Sequence, residues 1–306
     1  MKLRPADLQN LINEEPARPH LSYSSLSTFI NCGRRYEFER VKRLEPMSKS
    51  DGLSMGTAFT KGLEAGSADA GAEVLSAAPI FSRADEEKLQ TDQAIVRAAI
   101  TAYLLRYGSD HQGQREYGYR IRLRSPYTGA YSRTFDLLGY ADGVIDHGDH
   151  LELIEDKFVG KLDAATVRRV KLDRQVGLEA YALWRVTGKP VTQIRYRFTK
   201  KPSIKQRQNE SVAQFCERVT QDYVERPDFY LVEESTTRSP DDLLRLEAEL
   251  WDWAEQLRSA GHRGFYARNT TSCTAYGGCP FMDLCSEGAS ALPLYRVRPE
   301  RKAVAA

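Results

Sequence analysis

GYADGVIDHGDHLELIEDKFV, residues 139–159, is the stretch that decides the fold of this chain. Two apolar-rich runs flank HGDH, so it reads as a β-hairpin turning at Gly148-Asp149, with His147 facing His150. Facing residues in that register sum to 297, which sets Asp142 across from Glu155. Side chains so placed have Cβ atoms roughly 4.5–5.5 Å apart. Strand side chains alternate, so Lys157 shares the face of Glu155. Two acids facing each other destabilise a sheet by up to about 1 kcal/mol. The flanking Leu137, Leu138, Ile145, Leu151, Leu153, Ile154, Phe158 and Val159 predict cover on both faces. Charged groups in such a strand demand a reason. A divalent cation supplies one, because Mg²⁺ takes hard oxygen ligands. A lysine beside it can orient or deprotonate a water, or neutralise charge growing on a phosphate. The plain alternative is a solvated hairpin whose acids never meet.

Working outward, Ser22–Arg40 has helical spacing, with Ser22 or Ser24 able to cap it. A short helix is expected over 55–65, a loop over the Ala/Gly/Ser-rich 66–80, and an amphipathic helix from Asp85 to Tyr107. Tyr117, Tyr119, Ile121 and Leu123 alternate with Arg120, Arg122 and Arg124, predicting a strand with one basic face. Strands over Thr134–Asp146 and His150–Val159 follow, then a helix over 164–186, a strand over Gln193–Lys200, and helices over 209–226 and 240–260. Residues 1–20 read as an arm or a short helix. This order predicts an α/β fold with a mixed central sheet, an antiparallel hairpin and flanking helices, rather than a doubly wound parallel sheet. One domain spans 1–306. It has an N-terminal helical segment at 20–45, a core at 115–200, a helical region at 205–265 and a cysteine-bearing segment at 270–286.

Forty-four Lys+Arg against 42 Asp+Glu give a net charge of +2 over 306 residues, so bulk charge does not hold this chain to a polyanion. Any such partner is met by a local patch. RYRFTKKPSIKQR, 195–207, carries Arg195, Arg197, Lys200 and Lys201 beside Tyr196 and Phe198, while Arg168, Arg169 and Arg174 follow the hairpin and Arg34 and Arg35 follow Cys32. Basic residues interleaved with rings suit single-stranded nucleic acid. No apolar run reaches the ~18–20 residues that span a bilayer. The acid-containing start is not a secretory signal, and five cysteines make no disulfide framework, so a cytoplasmic location without membrane contact is expected. Cys273, Cys279 and Cys285 stand as C-x5-C-x5-C, one ligand short of a four-coordinate site, with Cys32 and Cys216 as candidates. Thiolates suit either Zn²⁺ or an iron–sulfur cluster, and spacing does not choose between them.

The G-x-x-D of Gly139–Asp142 and the [D/E]-x-K of Glu155–Lys157 resemble the PD-(D/E)XK nuclease superfamily. Gln175 is similar to the glutamine of the Q-x-x-x-Y helix in RecB-like members. Here Glu179 stands at the tyrosine's place, and Tyr181, six residues from Gln175 and about 240° around a helix, is on another face. The resemblance implies a restriction-endonuclease-like core in which Asp142 and Glu155 hold Mg²⁺ or Mn²⁺ while Lys157 and Gln175 serve catalysis. RecB-like relatives also carry a ligating histidine in G-x-x-x-H. This chain has Thr60 there, with Glu64 one turn on as a replacement metal ligand. Cys32 in its helix and Cys279-Pro280-Phe281 through Cys285 resemble the iron–sulfur branch, AddB nuclease domains and the RecB-like CRISPR-associated exonucleases. That implies a [4Fe–4S] cluster on Cys32, Cys273, Cys279 and Cys285, with structural Zn²⁺ as the alternative. The cluster would staple segments 241 positions apart, and Cys216 would be a buried small hydrophobe.

The implied activity is metal-dependent hydrolysis of DNA phosphodiesters, by an exonuclease of recombination, repair or processing acting on single strands or DNA ends. A helicase or recombinase would be its partner, since no Walker A motif is present. A catalytically inactive DNA-binding module and a zinc-stabilised interaction protein are the rival classes.

Overall fold

The computed structural model describes residues 19–47, 55–77, 80, 82–108, 113–275 and 278–298. The arm expected at the N-terminus and most of the polar loop after Pro46 lie outside them. The helices are α1 (Tyr23–Asn31), α2 (Gly33–Tyr36), α3 (Met55–Ala65), α4 (Ala68–Val74), α5 (Arg83–Tyr107), α6 (Ala164–Arg169), α7 (Arg174–Thr187), α8 (Val212–Glu225), α9 (Pro227–Tyr230), α10 (Pro240–Arg263) and α11 (Met282–Glu287). The strands are β1 (His20–Leu21), β2 (Leu44–Pro46), β3 (Gln114–Arg124), β4 (Tyr131–Asp146), β5 (Leu151–Val159), β6 (Val191–Lys200), β7 (Leu231–Thr236) and β8 (Tyr295–Val297). Among the described residues no helix is long and apolar enough to cross a membrane. The chain divides into two compact units, one of Met1–Lys49, Arg120–Gly139 and Leu244–Ala306, the other of Ser50–Tyr119 and Tyr140–Leu243.

The second unit is built on β4–β5–β6–β7, in which β5 runs antiparallel to β4 and parallel to β6, and β7 runs antiparallel to β6. This is the mixed sheet that the hairpin predicts. The expected register holds, with Gly143 facing Ile154, Val144 Leu153, Ile145 Glu152 and Asp146 Leu151. Gly148 takes a φ of 96°, a left-handed turn position that a side chain would strain. The Asp146 carboxylate accepts its N–H at 2.8 Å. A core of Phe59, Leu63, Ile100, Tyr103, Phe215, Val219 and Tyr223 packs α3, α5 and α8 together.

Two elements depart from expectation. Part of the loop predicted at 66–80 is α4, because Ser67 caps it by accepting the Ala70 N–H at 3.2 Å. Within the stretch read as helical, 231–236 is instead the strand β7. Its pairing with β6, Glu233 beside Arg197 and Val232 beside Phe198, overrides its local pattern.

That pairing also corrects the reading of the basic stripe. Arg197 is 0% exposed and donates to Glu233 at 3.2 Å and to the Tyr103 hydroxyl at 3.3 Å, so it is an internal cation rather than a polynucleotide contact. Tyr103 in turn donates to Asp156 Oδ1 at 2.7 Å, and Arg115 donates to Oδ2 at 2.7 Å. Tyr196 and Phe198 stack on each other, but both are buried and offer no ring to a base. Arg195 is paired with Glu152 at 2.5 Å.

The first unit joins the two ends of the chain. β1 lies parallel to the start of β4, Leu21 beside Leu137, and β2 pairs antiparallel with β8, Leu44 facing Val297. Phe38, Leu44, Phe281, Leu284 and Ala291 form its small core. Ser22 caps α1 as expected, accepting the Ser25 N–H at 3.2 Å. Gly33 allows Ala267 to approach so closely that an added Cβ would meet its carbonyl at 3.0 Å.

Tyr103→Phe should leave the buried Asp156 Oδ1 without its donor and cost about 1–3 kcal/mol. Urea denaturation of wild type and variant, followed by circular dichroism, measures the difference.

Candidate active site and the four-cysteine cavity

Strand β5 carries Glu155, Asp156 and Lys157 in succession, and the pleat sends them to opposite faces. Asp156 belongs to the Tyr103–Arg115 network. Glu155 and Lys157 face the side on which α7 lies, and the hairpin register, carried one step beyond Gly143–Ile154, brings Asp142 opposite Glu155. Asp142 Oδ2 accepts the Asp156 backbone N–H at 3.1 Å, which ties the two strands at the site itself.

Asp173 positions the helix. Its side chain accepts the Gln175 N–H at 2.9 Å as the cap of α7, while Arg238 donates to the carbonyls of Val170 and Asp173 at 2.8 and 3.1 Å. The first turn of α7 thus delivers Gln175 to the strand. The Lys157 ammonium donates to Glu155 Oε1 and, at 3.3 Å, to Gln175 Oε1. Gln175 Nε2 donates to Glu179 Oε1 at 3.1 Å. The result is a hydrogen-bonded chain of Glu155, Lys157, Gln175 and Glu179 beside Asp142. Glu179 was not among the expected site residues. Its signal was present, since it stands four residues after Gln175 and therefore on the same helix face. Tyr181 is a core ring, set edge-on to Trp184 with centroids 6.5 Å apart.

The electrostatics follow from burial. Glu155 is 0% exposed, and burial, then the nearby Asp142, push its carboxyl up to about 8 despite the pull of Lys157. Glu179 is 2% exposed and raised well above the usual carboxylate range, first by burial, then by Glu155 and Asp142. Burial and then Asp156 raise Asp142. Lys157 is held above its ordinary value, because its acidic neighbours outweigh the burial that opposes its charge.

The donor set fits a hard divalent cation. Glu155 Oε2 and Glu179 Oε2 are buried oxygens without a hydrogen-bond partner, in a site crowded with like charge. Among the described residues, no three or more His, Cys, Asp or Glu side chains form a group that could hold a metal ion as the side chains stand. Glu64 Oε2 accepts from Lys61 at 2.5 Å and Glu116 lies beside it, while its Oε1 is buried without a hydrogen-bond partner. The Thr60 hydroxyl bonds back to the Gly56 carbonyl at 3.2 Å, as it would in any helix.

Of the expected basic residues, Arg168, Arg169 and Arg174 are exposed on α6 and the start of α7. Lys200 lies over the Phe229 ring at 3.5 Å and Lys201 over the Phe158 ring at 5.3 Å. In the first unit Arg34 pairs with Glu37 at 2.5 Å and Arg35 with Glu39 at 3.3 Å.

Cys32, Cys273, Cys279 and Cys285 line one cavity of about 160 Å³ between Phe38, Phe281 and Met282. All four are free thiols. Burial raises the Cys279 thiol, and those of Cys32 and Cys273 lie close enough to add to the effect. The Asn269 N–H donates to Cys32 Sγ at 3.4 Å. Four thiols line one small hollow, one of them accepting a backbone N–H, but among the described residues no three of them form a group that could hold a metal ion. Cys216 stands apart in the second unit, against its hydrophobic core and 3.7 Å from the Ala94 carbonyl.

The family model of the PD-(D/E)XK nuclease superfamily matches residues 20–286. The chain belongs to that superfamily. Its mixed sheet and antiparallel hairpin are the restriction-endonuclease-like core, and members of the superfamily generally use Mg²⁺ or Mn²⁺. Among solved structures, one from Eubacterium rectale described as a "putative exonuclease" is 13% identical, with a TM-score of 0.49, covering 99% of this chain and 97% of that one. The crystal structure of SSO0001 is 11% identical, with a TM-score of 0.42 and 91% of each chain covered. A search of curated protein sequences gave no match.

A carboxyl whose pKa rises on folding, here from about 4.5 to about 8, stabilises the fold at low pH and loses that contribution as pH climbs through 8. Asp142 and Glu179 shift in the same direction. The metal-free protein should therefore lose stability from about pH 5 to 8. Glu155→Gln should flatten that fall, as melting temperatures across the pH range will register.

Proposed function

We propose that this chain is a Mg²⁺- or Mn²⁺-dependent deoxyribonuclease of the RecB-like type, hydrolysing phosphodiester bonds from single strands or DNA ends. The observation that carries the reading is the hydrogen-bonded chain of Glu155, Lys157, Gln175 and Glu179 beside Asp142, in a member of a nuclease superfamily. Asp142 and Glu155 would hold the cation. When bound, Mg²⁺ or Mn²⁺ polarises a phosphate and lowers the pKa of its water. Lys157 is aimed by two acceptors, Glu155 and Gln175, so its ammonium is fixed where an attacking water or a charged phosphate oxygen would stand. Gln175 acts through Lys157 and is a positioning residue.

The exposed Arg168, Arg169 and Arg174 flank Gln175 in sequence and offer phosphate contacts near it. Arg34, Arg35, Lys200 and Lys201 are further candidates, the first two paired with acids and the last two set over rings. Cys32, Cys273, Cys279 and Cys285 would ligate a [4Fe–4S] cluster, which in this position ties the N-terminal helix to the C-terminal segment and serves the fold rather than the reaction. Nothing in the cavity distinguishes iron–sulfur from Zn²⁺ except the resemblance in sequence. Unwinding, in recombination or repair, would fall to a helicase or recombinase partner.

Anaerobically purified protein, incubated with end-labelled linear and circular DNA, should cleave the linear form only when Mn²⁺ or Mg²⁺ is present. Lys157→Ala should lower that rate by about 10²–10⁴-fold while leaving DNA binding in place. Wild type that binds DNA but cleaves nothing with either metal would favour the inactive DNA-binding module. The same preparation should be brown, and Cys32→Ser should bleach it and lower its melting temperature. Colourless protein with one equivalent of zinc would replace iron by zinc on the same four cysteines.

A further inference from the structure

The site lacks the histidine that the resemblance leads one to expect: Thr60 stands in its place, and Glu64, one turn on, is held at one oxygen by Lys61 with Glu116 beside it. Yet its carboxylates are more numerous than the motif requires. Glu179 is 2% exposed, on the same face of α7 as Gln175, and feels both Glu155 and Asp142. Gln175 occupies one of its oxygens at 3.1 Å and leaves Oε2 buried without a hydrogen-bond partner. Glu155 Oε2, at 0% exposure, is in the same condition. Asp142, Glu155 and Glu179, with Asp173 near Glu155 and Lys157, outnumber the Lys157 ammonium and the Arg115 guanidinium beside Asp142, which leaves the site short of positive charge when they ionise.

We infer that Glu179 is a third carboxylate ligand of the divalent cation held by Asp142 and Glu155, filling the place that the absent histidine leaves. The inference rests on the nuclease reading and sharpens it. The contrary view makes Glu179 a structural carboxyl, kept neutral as a hydrogen-bond partner for Gln175. That view leaves its Oε2, protonated or not, buried without a partner, which is costly for a polar atom. It also gives no reason for an acid rather than a neutral amide at that position. A third oxygen ligand accounts for both. Through Gln175 the same residue also stays linked to Lys157, so one helix turn would set the cation and the ammonium together.

The test is Mn²⁺ binding to the metal-free protein, read from the free-ion electron paramagnetic resonance signal, together with the melting temperature with and without Mn²⁺. Mn²⁺ is chosen because it prefers oxygen to the thiolates of the cysteine cavity. Glu179→Gln keeps the Gln175 hydrogen bond and should weaken Mn²⁺ binding by about 10–100-fold. Its metal-free melting temperature should equal or exceed that of wild type, because one acid leaves a crowded site. Glu179→Asp, with the carboxylate drawn back by one methylene, should bind with intermediate affinity. Wild-type affinity in both variants would overturn the inference while leaving the nuclease reading intact. Wild type that takes up no Mn²⁺ would overturn the nuclease reading and the inference together.

Discussion

Strand β5 has to accommodate three charged side chains in a row, Glu155, Asp156 and Lys157, while paired on both edges, to β4 and β6. The pleat allows only one arrangement, with Asp156 on one face and its two neighbours on the other. On the first face the charge is cancelled internally: Tyr103 and Arg115 donate to Asp156, and Arg197 with Glu233 extends the network across the sheet. That face belongs to folding. On the second face the charge is left uncancelled, since Lys157 answers only one of three nearby acids. A buried site with surplus negative charge is unfavourable for the isolated chain and favourable once a divalent cation enters. The strand thus separates stability from chemistry by alternation alone.

The same division appears along the chain. The second unit holds the reacting groups on a sheet whose register is pinned at the turn by Gly148 and at the site by the Asp156–Asp142 hydrogen bond. The first unit brings together residues near position 30 and residues near 280 by a short sheet, a small apolar core and four thiols around one hollow. Closing a loop of that length has an entropic cost that these contacts offset.

The basic stripe at 195–207 shows how a sequence pattern misleads. Its arginines and rings alternate as they would on a stacking surface, but the strand that carries them is interior. Arg197 answers a glutamate at the edge of the interior, and Tyr196 and Phe198 pack inward. The glutamate lies on β7, a segment whose pattern gives little hint of a strand. Charge that looks available for a polynucleotide is therefore consumed by a partner 36 residues away. The arginines that do face solvent, Arg168, Arg169 and Arg174, sit in a helical stretch of less evident pattern.

What the sequence determined by itself was local and periodic. The hairpin register followed from one two-residue turn and strict alternation, and it placed Asp142, Glu155 and Lys157 with no knowledge of the rest. The Ser22 cap was legible for the same reason, since it depends on neighbours a few residues apart. Only the tertiary structure decided which charges cancel. Pairing Arg197 with Glu233 and burying Glu179 beside Glu155 both depend on residues distant in the chain. Burial then sets their charge states, because desolvation acts on a group according to what surrounds it in space and not in sequence.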